Sequence, residues 1–210
     1  MRRERQPAAL SSAANASGEV IAVDRASGWL EPVRRVPSPN CDARPAGVEP
    51  DLIVVHGISL PPGEFGGPWI DQLFTNTLPR SVHPYFEDIA DRHVSAHVLV
   101  RRNGELTQYV PFHQRAWHAG ASTYCGRSAC NDFSIGIELE GTDDIAYEGA
   151  QYSSLARLIA LLCDSYPTLS EARITGHSDI APGRKTDPGA AFDWPRLRTL
   201  VKMQRIGGPA

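Results

Sequence analysis

The stretch Leu52-Ile53-Val54-Val55-His56-Gly57 decides the fold that the sequence predicts. Its first four residues are apolar and mostly β-branched, and the run then stops at a histidine and a glycine. A short run that is apolar at every position is typical of a central strand that is buried on both faces. The histidine therefore stands at the carboxyl end of a predicted central strand.

A second strand is predicted over residues 133–140, where apolar residues alternate with glycine and glutamate. A period of two gives this strand one apolar face and one face that presents the carboxylates of Glu138 and Glu140. Acidic side chains are therefore expected on a rigid element of the same sheet.

A hairpin and three helices complete the pattern. The dipeptide Asn103-Gly104 predicts a two-residue hairpin turn between residues 95–101 and 105–110. Apolar residues at helical spacing mark the helices through Ile70, Leu73 and Phe74, through Leu155, Leu158, Ile159 and Leu162, and through Leu197, Leu200 and Val201. The predicted fold class is α/β, a mixed central β-sheet flanked by helices.

The chain of 210 residues is long enough for one well-buried domain, which we place at residues 26–205. Residues 1–25 are rich in Ala, Ser and Arg without apolar periodicity, and we predict that they are a disordered extension. The net charge of −3 gives no electrostatic footprint for nucleic acid, so none is expected as a partner.

Membrane and redox signals are also informative. No stretch has the roughly 20 apolar residues that a membrane span needs, so no membrane association is expected. The N-terminal arginines are not followed by the apolar core of an export signal, which favours a cytoplasmic location. Four cysteines are therefore expected to be reduced thiols, with a disulfide between Cys125 and Cys130 as the alternative outside the cell.

Two loops that follow strand-like runs carry histidines, His56 and His177, and the second loop also carries Asp187. Catalytic zinc is typically held by three nitrogen or oxygen ligands with a fourth position open. These three residues fit such a site. Spacing alone leaves open the alternative that a histidine at the end of a strand is a packed or capping residue.

Two further residues are candidates for the chemistry. Glu138 could take the proton of a water that attacks a carbonyl, with Glu140 as its rival and a solvent-facing glutamate as the alternative. Lys185, two residues before Asp187, could stabilise an oxyanion, or it could be a surface lysine. His97 and His118 could be hydrogen-bond partners of metal ligands or ordinary packed residues.

Four segments, in order along the chain, closely resemble the AmpD-type 1,6-anhydro-N-acetylmuramoyl-L-alanine amidases. They are residues 55–63 (VHGISLPPG), 117–120 (WHAG), 134–141 (SIGIELEG) and 176–189 (GHSDIAPGRKTDPG). The resemblance implies the fold shared with peptidoglycan recognition proteins, a mixed central sheet with flanking helices and a zinc site in a groove.

The resemblance also implies roles for particular residues. By that match His56, His177 and Asp187 hold zinc, Glu138 is the general base, and Lys185 polarises the scissile carbonyl and stabilises its oxyanion. The reaction would be hydrolysis of the bond between the lactyl group of anhydro-N-acetylmuramic acid and L-alanine during cytosolic cell-wall recycling.

On the substrate side, the resemblance places Trp117 against sugar or peptide, with Asn131 and Arg184 as further polar contacts. The substrate would be an anhydromuropeptide, and the family implies a monomer. Gly57 departs from the family pattern, which has asparagine there, and residues 93–95 and 128–130 each lack an arginine. These departures bear on the preference among muropeptides rather than on the reaction type.

Three other functions use similar features. A recognition module of the same fold would bind peptidoglycan without zinc, but such a module would lack a ligand. An exported amidase would act on polymeric cell wall, and a zinc peptidase would carry a His-Glu-x-x-His helix, which the sequence lacks. The recycling amidase is therefore the first hypothesis.

Overall fold

The structure is a computed structural model and describes residues 12–14 and 20–206. The strands are β1 (Ser12–Ala14), β2 (Val20–Asp24), β3 (Trp29–Glu31), β4 (Arg34–Arg35), β5 (Cys41–Ala43), β6 (Leu52–Ile58), β7 (Val98–Val100), β8 (Leu106–Gln108), β9 (Gln114–Ala116), β10 (Thr123–Tyr124), β11 (Arg127–Ser128), β12 (Ser134–Glu140) and β13 (Ile174–Gly176). The α-helices are α1 (Trp69–Phe74), α2 (Pro84–Ile89), α3 (Gly149–Ser165), α4 (His177–Ile180) and α5 (Trp194–Ile206).

A six-stranded sheet in the order β13-β6-β12-β7-β8-β4 forms the centre of the fold. The strands are parallel to their neighbours except for the antiparallel pair β7 and β8, so the sheet is mixed. Every residue of β12 and the first five of β6 are buried, because both strands are covered on both faces. The predicted fold class, a mixed central sheet flanked by helices, is confirmed.

Helices α3 and α5 cover one face of this sheet. The apolar stripe of α3 is fully buried against Ile53, Val55 and Ile137 of the central strands. Each such aliphatic side chain contributes about 1.5–3 kcal/mol when it is removed from water. Asp193 caps helix α5, since its side chain accepts a hydrogen bond from the amide of Arg196 at 2.9 Å.

The opposite face of the sheet carries a second core with α1 and α2. Phe74 of α1 and Phe86 of α2 pack in one cluster with Leu99 of β7. Leu99 is paired with Glu138 in the sheet register, so Glu138 points to this same face. The two faces of the sheet therefore differ. One face packs against α3, and the other carries the predicted catalytic glutamate.

The hairpin between β7 and β8 is confirmed, but the prediction of a two-residue turn is wrong. The amide of Gly104 donates to the carbonyl of Arg101, and the amide of Arg101 donates to the carbonyl of Glu105. Gly104 has a φ of 84°, whereas Asn103 is not among the residues with positive φ. The amide of Arg102 donates to a carboxylate oxygen of Glu140 at 3.2 Å, and this tertiary contact accompanies the longer turn.

The boundary of the predicted disordered extension, residues 1–25, is also wrong at its C-terminal end. Residues 20–24 form strand β2, in which Ile21 and Val23 are buried in the core that contains α3. The apolar side chains of this short strand alternate, so that one face packs onto α3. The average composition of residues 1–25 does not reveal this alternation. Residues 1–11 and 15–19 of the predicted extension lie outside the described residues.

The structure contains no disulfide among the described cysteines. Cys41, Cys125, Cys130 and Cys163 all lie in the described part of the chain, and each is a free thiol. Among the residues that the structure describes, no helix combines the length and the apolar character needed to cross a membrane.

Candidate active site

Two neighbouring parallel strands place His56 and Glu138 side by side. The register pairs Glu138 of β12 directly with His56 of β6, so both side chains leave the sheet on the same face. Glu138 Oε1 lies 4.0 Å from His56 Nδ1. The histidine that ends the apolar run and the glutamate of the second strand therefore meet through the sheet register.

The two other predicted ligands come from the strand on the other side of β6. β13 pairs in parallel with β6 and leads directly into α4, whose first residue is His177. Asp187 lies in the loop after α4, and its own carbonyl accepts a hydrogen bond from the amide of Ser178 at 2.9 Å. The order of the strands therefore brings residues that are far apart in sequence to one edge of the sheet.

The three candidate ligand atoms converge. His56 Nδ1 lies 3.0 Å from His177 Nδ1, and each nitrogen lies 3.1 Å from Asp187 Oδ2. Bond lengths of about 2.0 Å at tetrahedral angles separate zinc ligands by roughly 3.3 Å. The observed triangle is close to that size, so these residues fit a metal ion of this kind.

The hydrogen bond of His177 fixes the nitrogen that it offers. Its Nε2 lies 3.1 Å from the carbonyl oxygen of Ala119, which can only accept, so Nε2 carries the proton. Nδ1 of His177 therefore has a free lone pair that points at the other two candidate ligands.

A chain of hydrogen bonds fixes the tautomer of His56 in the same way. The Ser134 hydroxyl donates to the carbonyl of Cys130 at 2.6 Å, so it accepts from His118 Nε2 at 3.1 Å. His118 Nδ1 is then an acceptor, and His56 Nε2 donates to it at 2.9 Å. This chain leaves the lone pair on His56 Nδ1, so His118 is a hydrogen-bond partner of a candidate ligand, one of the two roles predicted for it.

Electrostatics keep His56 and Asp187 in the form that binds a cation. Burial lowers the pKa of His56 to about 4, so its imidazole is neutral near pH 7. Burial acts to raise the pKa of Asp187, but its hydrogen bonds with His177 and His56 outweigh burial and hold that pKa below its ordinary value. A neutral imidazole at His56 and an ionised carboxylate at Asp187 are the protonation states that metal binding requires.

Glu138 and Glu140 have different environments. Burial and then the charge of Asp187 raise the pKa of Glu138 well above its ordinary value, and its Oε2 has no hydrogen-bond partner among the described residues. Glu140 accepts hydrogen bonds from the amide of Gly66 at 2.6 Å and from the Arg101 guanidinium at 3.1 Å. Glu138 therefore has a carboxylate oxygen available for chemistry, whereas Glu140 is engaged in holding two loops.

The site opens into a groove of about 420 Å³. Lys185 is exposed on its rim, with Glu138 and the three candidate ligands among the lining residues. Apolar side chains continue the wall away from the ligands, namely Leu60, Leu73, Phe74, Ile89 and Val94. The groove thus joins a polar reaction centre to an apolar wall.

The three predicted substrate contacts lie in or beside this groove. Trp117 lines it, and its indole nitrogen donates to Asp42 at 3.3 Å. Asn131 accepts hydrogen bonds from the amides of His118 and Ala119 through its side-chain oxygen. These contacts of Asn131 hold the loop that carries Trp117 and His118.

Arg184 also lines the groove and bonds to the same loop. Its guanidinium donates to the carbonyls of Ala119 and Ala121. The substrate-binding roles of Trp117, Asn131 and Arg184 stay predictions. The sequence carried no signal for the supporting role of Ser134, because a serine at the start of a strand has no characteristic pattern.

His97 is buried beneath the site and belongs to the core. It accepts a hydrogen bond from the amide of Gly136 through Nδ1 at 3.0 Å and donates to the carbonyl of Gln114 through Nε2 at 3.1 Å. Burial lowers the pKa of His97 to about 3. The imidazole of His97 is therefore neutral in the folded protein near pH 7.

His97 should make the stability of the protein depend on pH. Between about pH 6 and pH 4 the unfolded chain binds a proton at this residue and the folded chain does not. As the pH falls through this range, His97 alone should therefore lower the free energy of unfolding by about 1.4 kcal/mol per pH unit. Urea unfolding of metal-free wild type and His97→Gln across this range measures it. The variant should show the shallower slope, and equal slopes would contradict the assignment.

The buried carboxylate of Glu138 lies beside three converging ligand atoms at the floor of an open groove, an arrangement that metal-dependent hydrolases use. Comparison with known proteins identifies the family. The profile of the N-acetylmuramoyl-L-alanine amidase family matches residues 46–190, so this chain belongs to that family. The resemblance given by the four sequence segments is thereby confirmed.

Particular relatives match over most of the chain. It is 62% identical over 176 residues, 84% of this chain and 94% of the relative, to the 1,6-anhydro-N-acetylmuramyl-L-alanine amidase AmpD of Salmonella typhimurium strain SL1344. It is also 62% identical over 177 residues, 84% of this chain and 96% of the relative, to AmpD of Escherichia coli K12. A crystal structure of a selenomethionine derivative of AmpD superimposes with a TM-score of 0.81 at 62% identity, covering 83% of this chain and 97% of that one.

Proposed function

We propose that this chain is a zinc-dependent amidase that cuts the bond between the lactyl group of 1,6-anhydro-N-acetylmuramic acid and L-alanine in muropeptides. The unpaired, buried carboxylate of Glu138 beside the converging atoms of His56, His177 and Asp187 is the observation that carries the proposal. The names of the relatives at 62% identity give the substrate class.

Zinc suits this donor set because two imidazole nitrogens and one carboxylate oxygen leave a fourth tetrahedral position open. When bound, the ion would polarise the scissile carbonyl and lower the pKa of the attacking water. The chain itself contributes by fixing the lone pairs of His56 and His177 through their Nε2 hydrogen bonds.

Glu138 acts as the general base. Its buried carboxylate has a raised pKa, so it takes the proton of the attacking water more readily than an exposed glutamate does. The water oxygen bonds to the lactyl carbonyl carbon, the carbon–nitrogen bond breaks, and Glu138 returns the proton to the leaving nitrogen of L-alanine. A carboxylate without a competing hydrogen bond on Oε2 is suited to this transfer.

Lys185 stabilises the oxyanion that forms on the lactyl carbonyl. Its exposed ammonium lies on the rim of the groove, where its charge also acts on Glu138 and His56. Lys185→Ala should therefore lower kcat by about 10²–10³ with a smaller change in KM, since the charge is used mainly in the transition state. Steady-state kinetics with an anhydromuropeptide measure both constants.

The exposed lysine of α5, Lys202, supplies the matched control. Lys202→Ala removes the same charge on the far side of the sheet and should leave both constants unchanged. A purely KM effect in Lys185→Ala would assign this lysine to substrate binding instead.

Binding and location complete the proposal. Trp117 and the apolar wall would pack on the substrate, with Asn131 and Arg184 shaping the loop above it. Four free thiols support a reducing, cytoplasmic compartment, where anhydromuropeptides are recycled. We expect a monomer, and sedimentation equilibrium would measure this oligomeric state. We expect no nucleic-acid or membrane partner.

The direct test follows release of free peptide from anhydro-muramoyl tripeptide by mass spectrometry, with and without a zinc chelator. Chelator-sensitive release by wild type supports the proposal. Binding of the tripeptide without release by zinc-loaded protein would point to a recognition module of the same fold. Release of peptide that is insensitive to the chelator would contradict the proposed dependence on zinc.

A further inference from the structure

Tyr147 contacts three of the four elements that carry the reaction centre, namely β6, the end of β12 and the loop of Asp187. Its ring lies against Gly57, which directly follows His56 in β6, and against Gly141, which directly follows β12. Its hydroxyl donates a hydrogen bond at 2.9 Å to the carbonyl of Pro188, the residue after Asp187. The side chain is 5% exposed, so these contacts form in the interior.

Two glycines make the slot that this ring occupies. A Cβ atom at Gly57 would lie 2.4 Å from Tyr147 Oη, and a Cβ atom at Gly141 would lie 2.3 Å from Tyr147 Cε1. Both distances are far below a normal carbon contact, which is about 3.5–4.0 Å between carbons. Neither glycine has a positive φ, so the space taken by Tyr147, and not the backbone conformation, requires glycine here.

The hydrogen bond to Pro188 bears on the position of Asp187. The loop of Asp187 is held at two successive carbonyls, since Ser178 donates to that of Asp187 and Tyr147 donates to that of Pro188. The first bond comes from the helix that carries His177, and the second comes from a ring that lies against Gly57 and Gly141, at the ends of the strands of His56 and Glu138. Tyr147 is thus the side chain that connects the loop of one ligand to the strand of another.

We propose that Tyr147 is a positioning residue, whose hydroxyl holds Asp187 in register with His56 and His177, and that Gly57 is required by that same hydroxyl. The inference rests on the proposed function, because it assigns a part in the same metal site.

Zinc affinity of the Tyr147→Phe variant tests the first half of the proposal. The change removes one oxygen and leaves the ring in place, so zinc affinity, measured by competition with a chromophoric chelator, should fall about tenfold. Tyr152→Phe is the matched control, because this buried hydroxyl accepts a hydrogen bond from the amide of Asp193 at 2.6 Å, away from the metal site. It should lower Tm without changing zinc affinity.

Wild-type zinc affinity in Tyr147→Phe, or an equal loss in Tyr152→Phe, would overturn the positioning role. The readout does not use the amide substrate, so it separates this proposal from the proposed function. If wild type binds zinc but releases no peptide, the proposed amidase function is wrong. The zinc affinities of wild type and Tyr147→Phe can still be compared in that case.

A double-mutant cycle tests the second half. Gly57→Ala alone should lower both Tm and zinc affinity, because its Cβ meets the Tyr147 hydroxyl. In Tyr147→Phe the nearest ring atom to that Cβ is Cζ at 3.7 Å, an ordinary contact, so adding Gly57→Ala should cost little more. Additive losses, or failure of the alanine variant to fold in both backgrounds, would show that the hydroxyl is not what excludes a side chain at Gly57.

Discussion

Glu138→Gln is expected to lower kcat by about 10²–10⁴ while zinc still binds. The amide has nearly the shape of the carboxylate but cannot take the proton of the attacking water. Glu138 is not among the converging ligand atoms, and its Oε1 lies 4.0 Å from His56 Nδ1, so its charge is not needed to complete the triad. Kinetics with anhydro-muramoyl tripeptide and zinc stoichiometry on the same sample measure the two properties.

Glu140→Gln provides the contrast, since it was the rival general base. Its carboxylate holds the amide of Gly66 and the guanidinium of Arg101, and it is 2% exposed. The variant should lose thermal stability, because the neutral amide weakens the buried pair with Arg101, which among the described residues keeps only its longer ion pair with Asp71 at 3.4 Å. Its kcat should fall far less than that of Glu138→Gln, and the reverse order would reassign the base.

Asp187→Ala is expected to weaken zinc binding by about 100-fold or more and to abolish chelator-sensitive amide hydrolysis. If three ligands share a binding free energy on the order of 10 kcal/mol, loss of one removes about 3 kcal/mol. The variant also loses the only acceptor placed between both imidazoles in the described part of the chain. Isothermal titration or chelator competition gives the affinity.

Asp193→Ala is the control for Asp187→Ala. Asp193 caps α5 on the far side of the sheet, and loss of its hydrogen bond to Arg196 should cost about 1 kcal/mol of stability. Zinc affinity should stay at the wild-type value. A similar loss of zinc in both variants would mean that general destabilisation, and not the missing ligand, weakens the site.

Local patterns predicted the strands and helices that carry the site. The apolar run that ends at His56 and the alternation around Glu138 reflect the burial of two central strands. Burial is visible in the sequence because it determines which positions along a strand are apolar. The motif spacing supplied candidate ligands. Their convergence was not predictable from spacing, because it depends on the pairing of β6 with both β12 and β13.

Other features depended on contacts that are distant in sequence. Strand β2 was missed because a five-residue strand is stabilised by its partner β3 and by α3, and the surrounding residues dominate the composition. The tautomer of His56 depends on Ser134 through His118, a chain of three side chains from separate segments. Tyr147 carried no motif, since its importance comes from two glycines that leave room for it.

The parallel register of β6 and β12 determines where this chain can change in length. His56 and Glu138 are opposite each other, and a one-residue insertion in either strand would turn its following side chains to the other face. The long connection between Ile58 and Ser134 also contains surface loops that do not touch the site, unlike the loop of Trp117 and His118, and these carry no such constraint. Insertions and deletions among homologues should therefore accumulate in those surface loops, whereas the two strands keep a constant number of residues up to the reaction centre.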